Sequence, residues 1–346
     1  PIFCKIYSSL FLIKRPFMSE FNKNHYLLSD TVFDVSSKYA LLVVIFILII
    51  SCTNKEDNGN STSSVTVTPG IKVVNSSSRF STSDITVLTN TASSKMSNQA
   101  ANILAVSWDL GSTSQTSDSR NENFNTYNVV ISSSDIDAMM SEITAWFDTT
   151  CMTSEDKTEQ TTRFRNYMTY GADVASHYDV CGQYRIVLVA TQNNKNLNEF
   201  KHVWFHELYH AFQHDLSDET CSSKRNFSDS NGKEWMIEGS ADYFARMLVN
   251  GDNGTQVILE KGLEAYNANS DKTIGGDSVA WRGAAGFQHM IEKNSFSQSS
   301  ILDGSFFHNC KSETDYTDSN SAVASAESSE SGWWNIELIS GVYNFR

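Results

Sequence analysis

The sequence predicts an α+β fold: a mixed sheet with a backing helix, then two consecutive helices carrying polar motifs, then a mostly helical C-terminal part. Three observations point there. Apolar, β-branched runs at 103–108, 127–131 and 184–190 have the length of strands. Four segments after residue 196 place apolar side chains at three- and four-residue intervals, the period of a helix that buries one face. The stretches between them are rich in Ser, Asn, Asp and Gly, the residues of turns and loops.

In chain order, residues 1–51 read as a targeting region. Lys38 precedes an apolar run at 40–50, too short for the ~20 residues that span a bilayer and of the size of a signal core. Ile49-Ile50-Ser51-Cys52 is similar to a bacterial lipobox, which implies lipidation of Cys52 and export to the cell envelope, outer membrane or cell surface, on a lipid anchor. A short membrane anchor or a signal without lipid is the competing reading. The chain opens on Pro1, with Met18 as a candidate start.

Residues 52–97 are Ser-, Thr- and Asn-rich and are expected to form a tether, with short strands at 64–67 and 85–88. The main domain is expected over 98–310. Within it, Ser133, Ser134 and Asp135 offer a cap for a helix over 135–147, whose Ile136, Met139, Met140, Ile143 and Phe147 follow helical spacing. The run at 184–190 predicts a strand buried on both faces. A polar turn at 193–196 leads into a helix over 197–214, with Leu197, Phe200, Val203, Trp204, Leu208, Ala211 and Phe212 as its apolar surface. A loop over 216–232, a second helix over 235–249 and further helices over 257–266 and 279–292 follow. Residues 311–346 are expected as a Ser-rich tail, with a strand or docking segment at 332–340.

The 346 residues are 40% hydrophobic, enough for one large core or two modest ones. The formal charge is −14 with no basic cluster, which argues against nucleic-acid binding through phosphate neutralisation. Cys4 would leave with the targeting region and Cys52 would carry lipid. Cys151, Cys181, Cys221 and Cys310 then form an even set, suited to two disulfides in any of three connectivities or to buried free thiols. None has the C-x-x-C spacing of a thiolate metal site.

The chemistry concentrates at His206-Glu207-Leu208-Tyr209-His210. Residues four apart stack on one helix face, so His206 and His210 can grip one metal ion. Glu207, rotated about 100° around the axis, reaches the side where a water would be activated. His202 and His214 continue the stripe, but neither precedes a glutamate, and both read as packing or supporting residues. A zinc site that works catalytically takes three protein ligands and keeps one position open. A third histidine six residues after His210 would serve, but Leu216 stands there. Glu238, 28 residues after His210 on the next helix, can supply the third ligand after a reversal of chain direction.

Glu238-Gly239-Ser240-Ala241-Asp242-Tyr243, together with the histidine motif, resembles the gluzincin metallopeptidases, the thermolysin-like and collagenase-like group. The resemblance spans about 197–250. It implies a zincin-like fold and Zn2+ held by His206, His210 and Glu238, with Glu207 as general base. Asp242 would accept the N–H of a ligating imidazole, and Gly239 and Ala241 would let the two helices approach. It further implies an oxyanion donor, for which Tyr243, Tyr266 and His289 are the candidates; Trp281 stands where relatives place a tyrosine. The expected function is a zinc-dependent peptidase acting on a protein or peptide substrate. The absence of a G-x-M-E-N-like stretch favours endopeptidase over aminopeptidase. The alternative is an inactive surface lipoprotein that keeps the fold for binding.

Overall fold

In the computed structural model the described residues are 70–96, 101–115, 126–172, 174–192, 196–216, 234–268, 279–293, 297–307 and 335–346. They form a mixed α/β structure on a mixed sheet. Strands β1 (Gly70–Asn75), β2 (Asn102–Gln115), β3 (Thr126–Val129), β4 (Ala175–Cys181) and β5 (Tyr184–Gln192) build it, in the order β1-β2-β5-β4. β1 and β5 flank β2 in parallel, and β4 closes the row antiparallel to β5. Leu110 pairs with Gln192 on one side and Val129 on the other, so β3 prolongs the β1 side of the sheet.

β2 and β5 are central strands, and their alternation sorts the core into two layers. Ile103, Ala105, Val187 and Val189 face one layer, with helices α1 (Thr82–Ser93), α4 (Leu197–Leu216) and α5 (Glu234–Asn250). Leu104, Val106, Trp108, Ile186 and Leu188 face the other, with helices α2 (Ser133–Phe147) and α3 (Ser154–Tyr170). A third cluster joins α5 to α6 (Gly254–Ala268), α7 (Val279–Glu292) and the short α8 (Gln298–Leu302).

The tether expectation is corrected over its second half. β1 pairs along its whole length with β2, and Val74 is buried. Residues 85–88 lie in α1, not in a strand: Ser81 and Asp84 close a reciprocal capping box, and Ile85, Thr89 and Ala92 bury one helical face. The first strand expected in the tether, at 64–67, lies outside the described residues, as do Cys52, Cys221 and Cys310. Within the tail, β6 (Ile336–Ile339) lies in the segment expected at 332–340 as a strand or docking segment, and it forms a hairpin with β7 (Val342–Phe345). Gln256 of α6 donates to the Tyr343 carbonyl at 3.0 Å and accepts from its N–H at 2.7 Å, which docks the hairpin.

α3 ends on Gly171 at φ 67°, where a Cβ would fall 2.0 Å from the Tyr127 carbonyl oxygen. Only glycine allows that approach, which lets the Tyr127 N–H reach the Gly171 carbonyl at 2.6 Å and ties β3 to the helix layer. Cys151, ahead of α3, is disulfide-bonded to Cys181 at the end of β4. Among the described residues, no helix is long and apolar enough to cross a membrane.

Candidate metal centre

α4 starts on a capping pair: Asn196 accepts the Glu199 N–H at 2.9 Å while Glu199 accepts the Asn196 N–H at 3.1 Å. Phe200, Trp204, Leu208, Ala211 and Phe212 bury its inner face against the sheet and α1. Trp204 donates to the Thr89 hydroxyl at 3.1 Å, and Tyr209 donates to the Ile301 carbonyl at 2.5 Å. With that face fixed, the His stripe turns towards α5.

Three donor atoms converge there. His206 Nε2 stands 3.0 Å from His210 Nε2, and Glu238 Oε2 lies 3.2 Å from the first and 3.4 Å from the second. Ligands held at about 2.05 Å around a tetrahedral zinc are roughly 3.3 Å apart. The three atoms therefore already have the separations of a tetrahedral face, and this group could hold a metal ion.

His210 is oriented by Gln213. The Gln213 amide nitrogen donates to the Ile237 carbonyl at 3.0 Å and to the Ser240 hydroxyl at 2.8 Å, so its oxygen must be the end facing His210 Nδ1, 2.8 Å away. Nδ1 therefore carries the hydrogen, and the Nε2 lone pair is left for a metal. Asp242 takes a different place from the one expected. It lies on α5 one turn after Glu238, but its Oδ1 meets His202 Nε2 at 2.7 Å, and Arg246 grips it through two bonds of 2.6 and 3.1 Å. Asp242 thus holds His202, a neighbour in the stripe, rather than a ligating imidazole.

Glu207 is buried beside the triad, 3.9 Å from His177 Nδ1. Burial disfavours its ionised form and pushes its pKa up to about 7. Glu238 is buried too, yet the His210 charge and the bonds from both histidines hold its carboxyl well below the usual range. Burial alone would lower His210, but the Glu238 carboxylate overrides it and raises His210 to about 9. His206 is lowered, first by burial and then by repulsion from His210. In the metal-free state a proton on His210 is thus the cation that the carboxylates favour.

The expected oxyanion donors are not brought to this centre. Tyr243 is fully buried in the third cluster and donates to Gln288 at 3.1 Å. Tyr266 packs against the same cluster, and His289 stacks edge-on with Phe345 at 4.9 Å. Trp281 lies against Arg246 and Lys261, with cation-to-ring distances of 5.8 and 5.3 Å. Gly239 does admit a close helix approach, but to α7: a Cβ there would fall 2.4 Å from the Gly283 carbonyl carbon. Ala241 faces the core shared with α4. His214 is in α4, and its side chain lies outside the described ones. Sequence reasoning missed three residues of the site: Gln213, Arg246 and His177. Arg246 had a readable signal, since it follows Asp242 by four residues on one helix.

Comparisons with protein-family models, curated proteins and solved structures find no match.

Proposed function

We propose that this chain is a zinc-dependent endopeptidase with a zincin-like fold. The observation that carries the reading is the three-donor group at tetrahedral spacing with the Glu207 carboxylate beside it. Two imidazoles and one carboxylate are a donor set of catalytic zinc, and three protein ligands leave a fourth position open. Zinc bound there would supply Lewis acidity and lower the pKa of a coordinated water towards ~7.

The chain's own residues account for the rest. Glu207, with a pKa near 7, is poised to accept a proton from the attacking water and to return it to the departing amine nitrogen. Gln213 fixes the His210 tautomer. Among the described residues β4 ends the strand row, and we propose that its outer edge is a backbone template on which an extended peptide lies beside the centre. The complete ligand set, with a buried carboxylate retained next to it, favours catalysis over the alternative of a binding-only surface lipoprotein. We propose further that the protein is exported and lipid-anchored through Cys52, for which mass spectrometry of the native chain should find a diacylglyceryl-cysteine.

The test combines metal analysis with proteolysis. The purified protein should contain one zinc per chain, and His206→Ala or Glu238→Ala should reduce it to a trace. Glu207→Gln should retain zinc and lose casein hydrolysis. Hydrolysis by Glu207→Gln at the parental rate, or full zinc in His206→Ala, would refute the assignment.

A further inference from the structure

The C-terminal hairpin packs on α6 and α7, and its two ends differ. The base is fixed to the fold. Ile336 is buried against Gly262 of α6, Gln256 holds both backbone groups of Tyr343, and the Phe345 ring meets His289 of α7 at 4.9 Å. Arg346 pairs with Glu337 at 2.8 Å, so these two side-chain charges at the base offset each other. The tip is bare. Ile339 pairs with Val342 across a two-residue turn, Ser340-Gly341, whose φ angles are both positive, 52° and 82°. Leu338, Ile339 and Val342 flank that turn and are 54%, 52% and 47% exposed. From Leu338 to Phe345 no side chain is charged, in a chain of net charge −14. Elsewhere among the described residues, exposed large apolar side chains stand singly at Val87 and Leu197 or as the pair Val129 and Val130.

Two observations select the partner of this tip. The chain from Cys52 to Gly70 can span at most about 60 Å, so a lipid on Cys52 would keep the domain beside a membrane. A charge is costly to place in hydrocarbon, and the tip has none. A second copy fits less well: three half-exposed side chains offer on the order of 300 Å2, against the ~800 Å2 per partner of a stable protein interface. We propose that the hairpin tip docks on the membrane that holds the Cys52 lipid, with Leu338, Ile339 and Val342 entering the outer edge of an uncharged lipid surface. The inference rests on the lipid-anchor reading. Gln256, Ile336 and Phe345 already hold the base, so insertion orders little further backbone. Burying the exposed halves of three aliphatic side chains favours the docked orientation by roughly a hundredfold. The lipid decides where the chain stays; the tip decides which face it turns to the membrane.

The experiment uses the native protein, moved from detergent into phosphatidylcholine vesicles whose acyl chains carry bromine, which quenches indoles lying within the bilayer. Mass spectrometry of the same sample reads the lipid on Cys52. Ile339→Trp adds an indole at the tip, and Val87→Trp adds one on α1, where the parent side chain is 63% exposed. The emission that Ile339→Trp adds over the parent should fall by about half or more in brominated against plain vesicles, as expected at interfacial depth. The emission that Val87→Trp adds should change little. Val342→Asp in the Ile339→Trp chain puts a carboxylate at the tip and should bring the quenching down to the Val87→Trp level. On protein that carries the lipid, an unquenched Ile339→Trp, equal quenching of both indoles, or quenching unmoved by Val342→Asp would overturn the proposal. If Cys52 carries no lipid, the anchor reading falls and this inference with it.

Discussion

Replacing Gln213 by leucine tests how the centre is held. The substitution keeps approximate volume in a site where Gln213 is 3% exposed. It removes three hydrogen bonds: one to His210, one to the Ile237 carbonyl and one to Ser240. At ~0.5–1.5 kcal/mol net for each, the fold should lose about 2–4 kcal/mol. Only the first bond bears on metal. Losing a partner that fixes a ligand imidazole costs 10–100-fold in metal affinity, or about 1.4–2.7 kcal/mol. The two effects separate experimentally. Urea unfolding of the metal-free protein reads the first, and competition with a chromophoric chelator reads the second. Ser240→Ala is the control: it removes one acceptor of the amide, leaves the His210 bond, and should lower stability while changing zinc affinity less than threefold. A Gln213→Leu protein that is destabilised yet binds zinc as tightly as the parent would show that the amide only joins α4 to α5, and that the tautomer argument is wrong.

Three further outcomes follow from the geometry. The pKa of His210 is raised from its ordinary 6.5 to about 9, so its stabilising contribution is complete below pH 6.5 and is lost as pH climbs through 9; thermal unfolding of chelator-stripped protein should show Tm falling across that window, and His210→Gln should flatten the fall. Asp242→Asn leaves the buried Arg246 guanidinium without its carboxylate and should destabilise the fold by about 3–5 kcal/mol in denaturant titrations, with zinc affinity changed far less than by Gln213→Leu. Gly239→Ala drives a methyl into the α7 backbone, which cannot yield as a side-chain tip would; a loss above about 3 kcal/mol, or failure to fold, is expected from unfolding curves, and a wild-type Tm would contradict the packing.

The group that could hold a metal ion was legible because it is written in spacing. Two histidines at i and i+4 fix a helix face, and Glu238 stood at a plausible interval on the next helix for the third donor. Tyr243 could have been set aside on the same ground: five residues from Glu238 is about 140° around the helix, whereas Asp242 at four residues is only about 40° away. Gln213 was not legible, because an amide three residues after a histidine has no signature until Ile237 and Ser240 dock against it. In α1 the buried positions include Thr89 and a small Ala92, which dilute the apolar period and made the segment resemble a tether. α3 buries Phe164, Tyr167 and Met168 within an otherwise polar helix, and β4 mixes polar and aromatic residues at the end of the sheet. Both take their place from tertiary pairing rather than from pattern.

The Cys151–Cys181 bond adds a dependence on surroundings. Among the described residues β4 has sheet pairing to β5 alone, and the bond fastens its C-terminal end to the segment between α2 and α3. Closing a loop of 30 residues is worth about 3–4 kcal/mol in the chain-entropy account. Much of that restraint falls on the strand that carries His177. Thiols kept reduced would leave the strand end to fray, so the place of His177 beside Glu207 would be set firmly only where the redox potential lets the two sulfurs join.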